Sequence, residues 1–249
     1  TAGSVKIDGA NLGSALAGTL AATRISANTT AGFSMVQYTS TGGGSPGTQT
    51  VAHGLSQAPT LVIVKSTDST YDWTVYVKDN ANTRRMVLNT TAAKATAGDW
   101  GDTSPTASVF TIGDGTSRTN DGSSDYIAYC FHSVEGYSKA DSHYKGNEDT
   151  DGTFIYTGFR PAYFLIKDLD SVEAWEVWDN KRDPYNVTSI KLSPNTTDNE
   201  YTANETTYAI DFLSNGVKLR TTYSAVNKDD DSYMYLALAE SPFKYSNAR

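Results

Sequence analysis

Ala58-Pro59-Thr60-Leu61-Val62-Ile63-Val64-Lys65 and Arg160-Pro161-Ala162-Tyr163-Phe164-Leu165-Ile166-Lys167 are two versions of one pattern, a short apolar run led by proline. Positions 58 and 160 stand 102 residues apart, and the same spacing relates the residues that follow, Asp68-Ser69 and Trp73, to Asp170-Ser171 and Trp175. Repetition at a fixed spacing is the sequence sign of a duplicated structural unit. The chain therefore contains an internal repeat.

Further matches occur in the same order along the chain. Leu88-Asn89-Thr90-Thr91 is echoed by Ser193-Pro194-Asn195-Thr196-Thr197, and Ser124-Asp125-Tyr126-Ile127-Ala128-Tyr129 by Asp231-Ser232-Tyr233-Met234-Tyr235-Leu236. These matches predict two tandem modules, over 33–139 and 140–249, that follow an N-terminal stretch over 1–32. Each module has about the length of one β-sandwich.

The repeated segments read as strands. Leu61 to Lys65 and Tyr163 to Lys167 are short apolar runs between proline and Asp-Ser, as expected for strands that are entered from turns. The Trp73 and Trp175 segments alternate large and polar side chains, which predicts the hairpin partners of these strands. The closing runs, Tyr126 to Phe131 and Tyr233 to Ala239, are apolar on both faces, as central strands are. We predict an all-β fold of two antiparallel, jelly-roll-like sandwiches.

Composition agrees with this prediction. The 249 residues include 38% hydrophobic and 19% charged residues and 16 Tyr, a profile that suits short strands with many turns. The formal net charge is −8, and the sequence contains no basic stripe of the kind that binds nucleic acid. No apolar segment has the length of a membrane span. The single cysteine, Cys130, excludes an internal disulfide and lies in an apolar run that predicts its burial.

The N-terminal stretch differs from the modules. Residues 5–22 are rich in small residues, contain no aromatic residue and cannot form a core alone. Two readings stay open for 1–32: a linker without structure of its own, or a stem that folds by packing against symmetry mates around a three-fold axis.

Several motifs in both modules resemble a known group of proteins. The first module contains His53-Gly54-Leu55-x-x-Ala58-Pro59, Lys65-x-x-Asp68-Ser69 and Asn89-Thr90-Thr91. The second contains Tyr156-Thr157-Gly158-Phe159-Arg160-Pro161, Asp183-Pro184-Tyr185-Asn186, Asp211-Phe212-Leu213-Ser214-Asn215-Gly216 and Pro242-Phe243-Lys244-Tyr245-Ser246-Asn247-Ala248-Arg249. Over 33–249 the chain is similar to tail-fibre-like and other virion-associated proteins of bacteriophages, notably marine and cyanobacterial ones. The resemblance implies a place in the virion and names no ligand.

The three histidines and one acidic run are the candidates for catalysis or metal binding. His53 precedes a turn and has no partner pattern for catalysis, while His132 and His143 lack zinc-ligand spacing. Asp229-Asp230-Asp231 with Asn227 could bind calcium, but a solvated hairpin tip is the commoner meaning of such a run. We expect no catalytic residue, cofactor or metal site.

A glycosidase would need two carboxylates beside an aromatic platform. Glu173, Glu176 and Asp179 lie near Trp175 and Trp178 in the sequence. A packed tryptophan beside a solvated glutamate is the commoner meaning of such a pattern, so the sequence favours a structural role for these residues.

Aromatic side chains near turns are candidates for a recognition surface, because tyrosine and tryptophan are common at binding sites. The positions that lie near turn signals are Tyr71, Trp100, Tyr185, Tyr201 and Tyr223. We expect these five side chains to be exposed.

These observations favour a virion structural protein without enzymatic activity, assembled in the host cytoplasm. The leading expectation is a tail fibre or appendage subunit, a homotrimer that contacts other virion proteins and recognises a host surface glycan or protein receptor. The alternative is a capsid decoration or cement protein, or a head fibre, that stabilises the shell. The sequence predicts neither nucleic-acid binding nor membrane insertion.

Overall fold

The computed structural model of the chain describes residues 4–11, 18–42, 47–114, 118–200 and 206–241. Strands dominate, which confirms the predicted all-β class, and the sheets are open. Among the described residues the longest helix is the single turn Ser224–Asn227. None of the helices described is long and apolar enough to span a membrane. The chain divides into two compact units, Thr1–Leu88 with Lys94–His132 and Asn89–Ala93 with Ser133–Arg249.

The first unit contains eleven described strands: β1 (Ser4–Ile7), β2 (Ala10–Asn11), β3 (Ala22–Asn28), β4 (Phe33–Thr39), β5 (Gln49–Ala52), β6 (Leu61–Ser66), β7 (Thr74–Val77), β8 (Arg84–Val87), β9 (Ala95–Thr96), β10 (Val109–Ile112) and β11 (Asp125–Phe131). Nine of them form a sheet in the order β2-β1-β3-β4-β11-β6-β7-β8-β9. The other two, β5 and β10, pair with each other.

The second unit contains seven described strands and one helical turn: β12 (Ser138–Lys145), β13 (Phe154–Tyr156), β14 (Pro161–Asp168), β15 (Trp175–Asp179), β16 (Ile210–Leu213), β17 (Gly216–Leu219), α1 (Ser224–Asn227) and β18 (Ser232–Ala239). Its larger sheet has the order β12-β18-β14-β15, and a smaller sheet has the order β13-β17-β16.

The repeat seen in the sequence corresponds to a repeated strand order. In the first unit, β4-β11-β6-β7 are consecutive and antiparallel, and β12-β18-β14-β15 have the same order and sense in the second. Tyr76 faces Val62 across the β6–β7 pair, and Trp178 faces Phe164 across the β14–β15 pair. Val62 and Phe164 stand 102 residues apart, which is the spacing of the repeat. The predicted strands and hairpin partners are confirmed.

Each unit has one apolar core to which both of its sheets contribute. In the first unit, Phe110 and Val51 of the small sheet join Val64, Ala128 and Cys130 of the large sheet in a single buried cluster. The fully buried Cys130 confirms the expectation from its apolar run. Strands β4 and β11 alternate buried and more exposed residues, which is the pattern of strands with one face on a core.

A stacked pair of tyrosines joins two neighbouring strands in the first unit. The rings of Tyr38 on β4 and Tyr126 on β11 are 5.1 Å apart at 7°. The Tyr38 hydroxyl donates to the Thr119 carbonyl (2.8 Å), and the Tyr126 hydroxyl accepts from the Asp121 backbone N–H (3.0 Å). Between these two positions, the buried Asn120 side chain donates to the Gly113 carbonyl (2.7 Å). The pair therefore fixes the loop that leads into β11.

The second unit contains the same arrangement. The rings of Tyr144 on β12 and Tyr233 on β18 stack at 4.9 Å and 10°. The Tyr144 hydroxyl donates to the Val226 carbonyl (2.8 Å), and the Tyr233 hydroxyl accepts from the Lys228 N–H (2.9 Å). Asn227 lies between them and donates to the Thr221 carbonyl (2.7 Å). We call each arrangement a tyrosine latch.

The separate arm predicted over 1–32 differs from the structure. Strand β3 pairs along its length with β4, and β1 pairs in parallel with β3, so both belong to the nine-stranded sheet. Val5, Ile25 and Ala27 are buried in the core cluster of the first unit. Pairing with β4 places the alternate apolar side chains of β3 in this core. The sequence boundary at residue 33 therefore falls within the first unit.

Matched glycine turns lead into the proline-led strands of the two units. Gly54 and Gly158 have φ angles of 73° and 84°, a region that glycine adopts far more readily than other residues. In both turns the preceding side chain accepts from an N–H two residues on, His53 Nδ1 from Leu55 (3.1 Å) and Thr157 Oγ1 from Phe159 (3.4 Å).

The two glycines predict different costs for substitution by alanine. Both variants place alanine in the left-handed region, at a cost of about 1–2 kcal/mol. A Cβ on Gly54 would meet Ile25 Cγ2 at 3.0 Å and Ala27 Cβ at 3.1 Å, whereas the nearest atom to a Cβ on Gly158 is the Tyr156 hydroxyl oxygen at 3.6 Å. We expect Gly54→Ala to destabilise the chain by about 1–3 kcal/mol more than Gly158→Ala in urea unfolding. Equal losses would contradict this account of the first turn.

Candidate functional site

A cavity of about 610 Å³ opens at the end of β7 in the first unit, and we call it the Tyr76 cavity. Its polar lining comes from Lys78, Asp79, Asn82, Asp102 and Ser104, and its apolar lining includes Pro59 and Pro105. The size falls within the range of roughly 300–1,000 Å³ that is common for small-molecule sites.

Four segments of the chain bring these side chains together. The residues before β6 supply Ala58 and Pro59, and strand β7 supplies Tyr76. The turn between β7 and β8 supplies five more residues and the loop before β10 three: Lys78, Asp79, Ala81, Asn82 and Thr83, and Asp102, Ser104 and Pro105. The two loops are joined by a hydrogen bond in which Ser104 Oγ donates to Asn82 Oδ1 (2.8 Å). The site is therefore assembled from residues that are distant in sequence.

The aromatic side chain of the cavity is firmly supported. Tyr76 packs edge-on against Trp100, with ring centroids 5.6 Å apart at 71°. Burial is the main cause of the raised pKa of Tyr76; a hydrogen bond with the Ser104 side chain opposes this shift, and the nearby Asp79 carboxylate adds to it. The hydroxyl is therefore protonated at neutral pH and can donate a hydrogen bond.

The rim of the cavity contains unusual backbone conformations. Asp79, Ala81 and Asp102 have φ angles of 64°, 59° and 50°, and all three line the cavity. Side chains other than glycine adopt this region at a cost of about 1–2 kcal/mol each. Such costs are found where the surrounding structure holds a loop in one shape, frequently at binding sites.

The residues predicted to form a recognition surface differ in their exposure. Trp100 is 2% exposed, which corrects the expectation that it is on the surface: it supports Tyr76 from beneath. Tyr71 and Tyr185 are exposed, at 37% and 80%. Tyr223 is half-buried with its hydroxyl on Glu176 (2.9 Å), and Tyr201 lies outside the described residues.

The second unit contains a buried ion pair that the sequence did not predict. Glu176 and Lys191 are 0% and 2% exposed, and their charged groups are 2.7 Å apart. Ser193 and Tyr223 also donate to the Glu176 carboxylate, at 2.9 Å each, and the Lys191 ammonium lies 4.7 Å from the centre of the Tyr208 ring. Burial is the main cause of the raised pKa of Glu176, and the bonded donors oppose that shift.

The three acidic residues considered for glycoside cleavage have separate structural partners. Glu176 is in the buried pair, which corrects the expectation of a solvated glutamate. Glu173 accepts from Ser224 Oγ (2.7 Å), and Asp179 accepts from the backbone N–H groups of Lys181 and Arg182. Trp175 and Trp178 are packed in the interior, as expected. This arrangement provides no aromatic platform between two solvent-facing carboxylates.

The comparisons with known proteins identify one family. Residues 7–242 match the family model described as a domain of unknown function, DUF7483. The chain belongs to the DUF7483 family. The match spans most of both compact units of this DUF7483 chain. No curated protein and no solved structure matches the chain.

The histidines and the acidic tip of this DUF7483 chain show no metal-site geometry. His53 and His132 are buried, and His143 lies in β12 with a φ angle of 37°. Asn227 uses both side-chain atoms within the fold: its amide nitrogen donates to the Thr221 carbonyl and its oxygen accepts from the Asn147 N–H. Within the described ranges, no group of three His, Cys, Asp or Glu side chains could hold a metal ion.

The buried pair predicts a marked response to charge removal. Glu176→Gln leaves the Lys191 ammonium buried without a counter-charge, so we expect a loss of about 3–5 kcal/mol in unfolding free energy. Adding Lys191→Met to that variant removes the unpaired charge and should recover part of the loss. The control is Glu200→Gln, which removes an exposed partner of Arg182 and should cost under about 1 kcal/mol. A small loss in Glu176→Gln would contradict the described burial.

His53 predicts a dependence of stability on pH. Burial lowers its pKa, the hydrogen bond to the Thr106 carbonyl partly opposes this, and the proximity of His132 lowers it further. The folded chain therefore resists a proton that the unfolded chain accepts near pH 6.5. Stability from this group is complete above that pH and declines below it, by at most about 1.4 kcal/mol per pH unit.

The measurement is the unfolding free energy in urea between pH 5 and 7.5. The variant His53→Thr carries the residue found at the matched position of the second unit, Thr157. We expect the slope below pH 6.5 to be smaller in His53→Thr than in the wild-type chain. Identical slopes would show that His53 does not titrate in this way.

Proposed function

We propose that the chain is a structural protein of a bacteriophage virion, a tail fibre or appendage subunit with a role in host-surface recognition and without enzymatic activity. The observation that carries the proposal is the duplicated strand order, with one core in each unit to which two sheets contribute. We infer that the two units are tandem sandwich modules, which are suited to presenting side chains to the surroundings of the particle.

The motif resemblance over 33–249 supports the virion location. The acidic net charge of −8 is compatible with an exposed protein that remains soluble at high local concentration. Glu176, His53 and Trp175 are residue types that can serve in catalysis or ligand binding, but all three are buried, which favours a structural role for them.

A homotrimer is part of the proposal, because fibres are built from symmetric copies of one chain. Its contacts are with other copies, with other virion proteins and with a glycan or protein on the host surface. The recognition role is assigned to solvent-facing loops, among them the loops of the first unit that line the Tyr76 cavity.

The test is to locate the chain on particles of a phage that encodes it. Antibody raised against the purified chain is applied to intact particles and seen by electron microscopy with gold labelling. We expect label on the tail or its fibres and none on particles of an unrelated phage. Label on the head would contradict an appendage role and indicate shell decoration, and absence of the chain from purified particles by mass spectrometry would overturn the virion proposal.

A further inference from the structure

We infer that the Tyr76 cavity is a saccharide-binding site for a neutral or amino sugar. The inference deepens the proposed recognition role and rests on it for the biological source of the sugar. The cavity has a suitable volume, about 610 Å³, and its rim residues Lys78, Asp79 and Asp102 are exposed, so a ligand can enter from solvent.

The polar groups of the cavity match a ligand rich in hydroxyl groups. Carboxylates accept hydrogen bonds, ammonium groups donate them, and amide and hydroxyl groups do both. Asp79 and Asp102 supply acceptors, and Lys78 supplies a donor. Asn82 and Ser104 supply groups of both kinds. A sugar ring presents donors and acceptors on adjacent carbons, and this mixed set can satisfy both.

Apolar surface lies beside these polar groups. Ala58 and Pro105 line the same cavity, and Ala58 is exposed while Pro105 is partly exposed. The buried Pro59 and Tyr76 complete the apolar lining, with Tyr76 packed against Trp100 at a centroid distance of 5.6 Å. The C–H face of a pyranose ring can bury itself on such surface while its hydroxyls reach the polar rim. Small-molecule sites commonly combine apolar walls with a few well-placed polar groups.

Charge narrows the class of sugar. Two carboxylates and one ammonium line the cavity, so its formal charge is negative. A uronate, sialate or phosphorylated sugar would bring a like charge next to Asp79 and Asp102. A neutral sugar avoids this repulsion, and the ammonium of an amino sugar gains an ion pair.

The second unit uses the matched positions for internal contacts. Trp178, which has the place of Tyr76, is fully buried and its Nε1 donates to the Tyr208 carbonyl (3.1 Å). Asn180, at the position of Lys78, is 5% exposed and donates to Glu240 (2.9 Å). Tyr76 is also buried, at 2% exposed, so the two repeats differ at the second of these positions: Lys78 is exposed to solvent and Asn180 is not.

The rim is held in shape before a ligand arrives. The hydrogen bond from Ser104 to Asn82 joins the two loops. The left-handed backbone conformations of Asp79 and Asp102 fix the direction in which each side chain leaves the backbone. A site that is already ordered loses less conformational freedom on binding.

The experiment uses the full chain and saturation-transfer difference NMR. The probes are trisaccharides of glucose, mannose, galactose, N-acetylglucosamine and glucosamine, with a galacturonate trisaccharide as the acidic member. We expect saturable binding of at least one neutral or amino sugar, and weaker binding or none of galacturonate.

Two matched variants locate the binding. Asp102→Asn and Asp79→Asn each remove an exposed charge without changing side-chain size. Each should lower the affinity for the sugar by about tenfold or more. Asp198→Asn, an exposed acid of the second unit, makes the same chemical change elsewhere and should leave binding unaltered. Equal melting temperatures for all three variants show that any loss of binding is not unfolding.

The inference is overturned if no neutral or amino sugar of the panel binds at millimolar concentration, if galacturonate binds best, or if both cavity variants bind as the wild type does. These outcomes are independent of where gold label lies on the particle. A labelled tail with no sugar bound would reject the sugar site and keep the virion proposal. Sugar binding by a chain that is absent from particles would do the reverse.

Discussion

Each unit depends on the contact between two tyrosine rings on adjacent strands. In the first, Tyr38 and Tyr126 stack within the core while their hydroxyls reach the loop before the closing strand. Tyr144 and Tyr233 do the same in the second. Burying a ring contributes about 1.5–3 kcal/mol, and its hydroxyl must then find a partner. Because the partners are backbone groups of one loop, packing and loop position are fixed together in both units.

The two units diverge outside this shared frame. Both units bury the aromatic side chain at the matched position, Tyr76 in the first and Trp178 in the second. The first unit has a cavity that Tyr76 lines, and the second contains the buried ion pair of Glu176 and Lys191. A buried ion pair adds little net stability compared with apolar packing, but it tolerates few alternative arrangements. A shared frame in which Lys78 is exposed at the cavity of the first unit and its counterpart Asn180 is buried in the second agrees with a division between support and recognition in the proposed appendage.

The sequence predicted the parts of this fold that depend on local pattern. The proline-led runs, their hairpin partners and the closing strands were identified because apolar alternation and turn residues act over a few positions. The prediction of a separate arm over 1–32 was wrong because β3 is recognisable only from its pairing with β4, which places Ile25 and Ala27 in the core of the first unit. Trp100 was predicted to be exposed because it lies near a turn signal, but such a signal does not show whether other residues bury the side chain. The tyrosine latches, the Tyr76 cavity and the Glu176–Lys191 pair join residues far apart in sequence. The repeat contained a usable signal for the latches, since Asn120 and Asn227 precede matched tyrosines by six residues.

The latch is tested most directly by amide hydrogen exchange in the full chain carrying Tyr233→Phe. The substitution keeps the ring stack but removes the acceptor for the Lys228 N–H and the donor to the Ser224 carbonyl (2.7 Å). Tyr185→Phe, at a side chain that is 80% exposed, is the control. The account predicts faster exchange at Lys228 and a loss of about 1–3 kcal/mol in unfolding free energy for Tyr233→Phe alone. Unchanged exchange and stability in that variant would contradict the view that the tyrosine pair holds the loop and, through it, the unit.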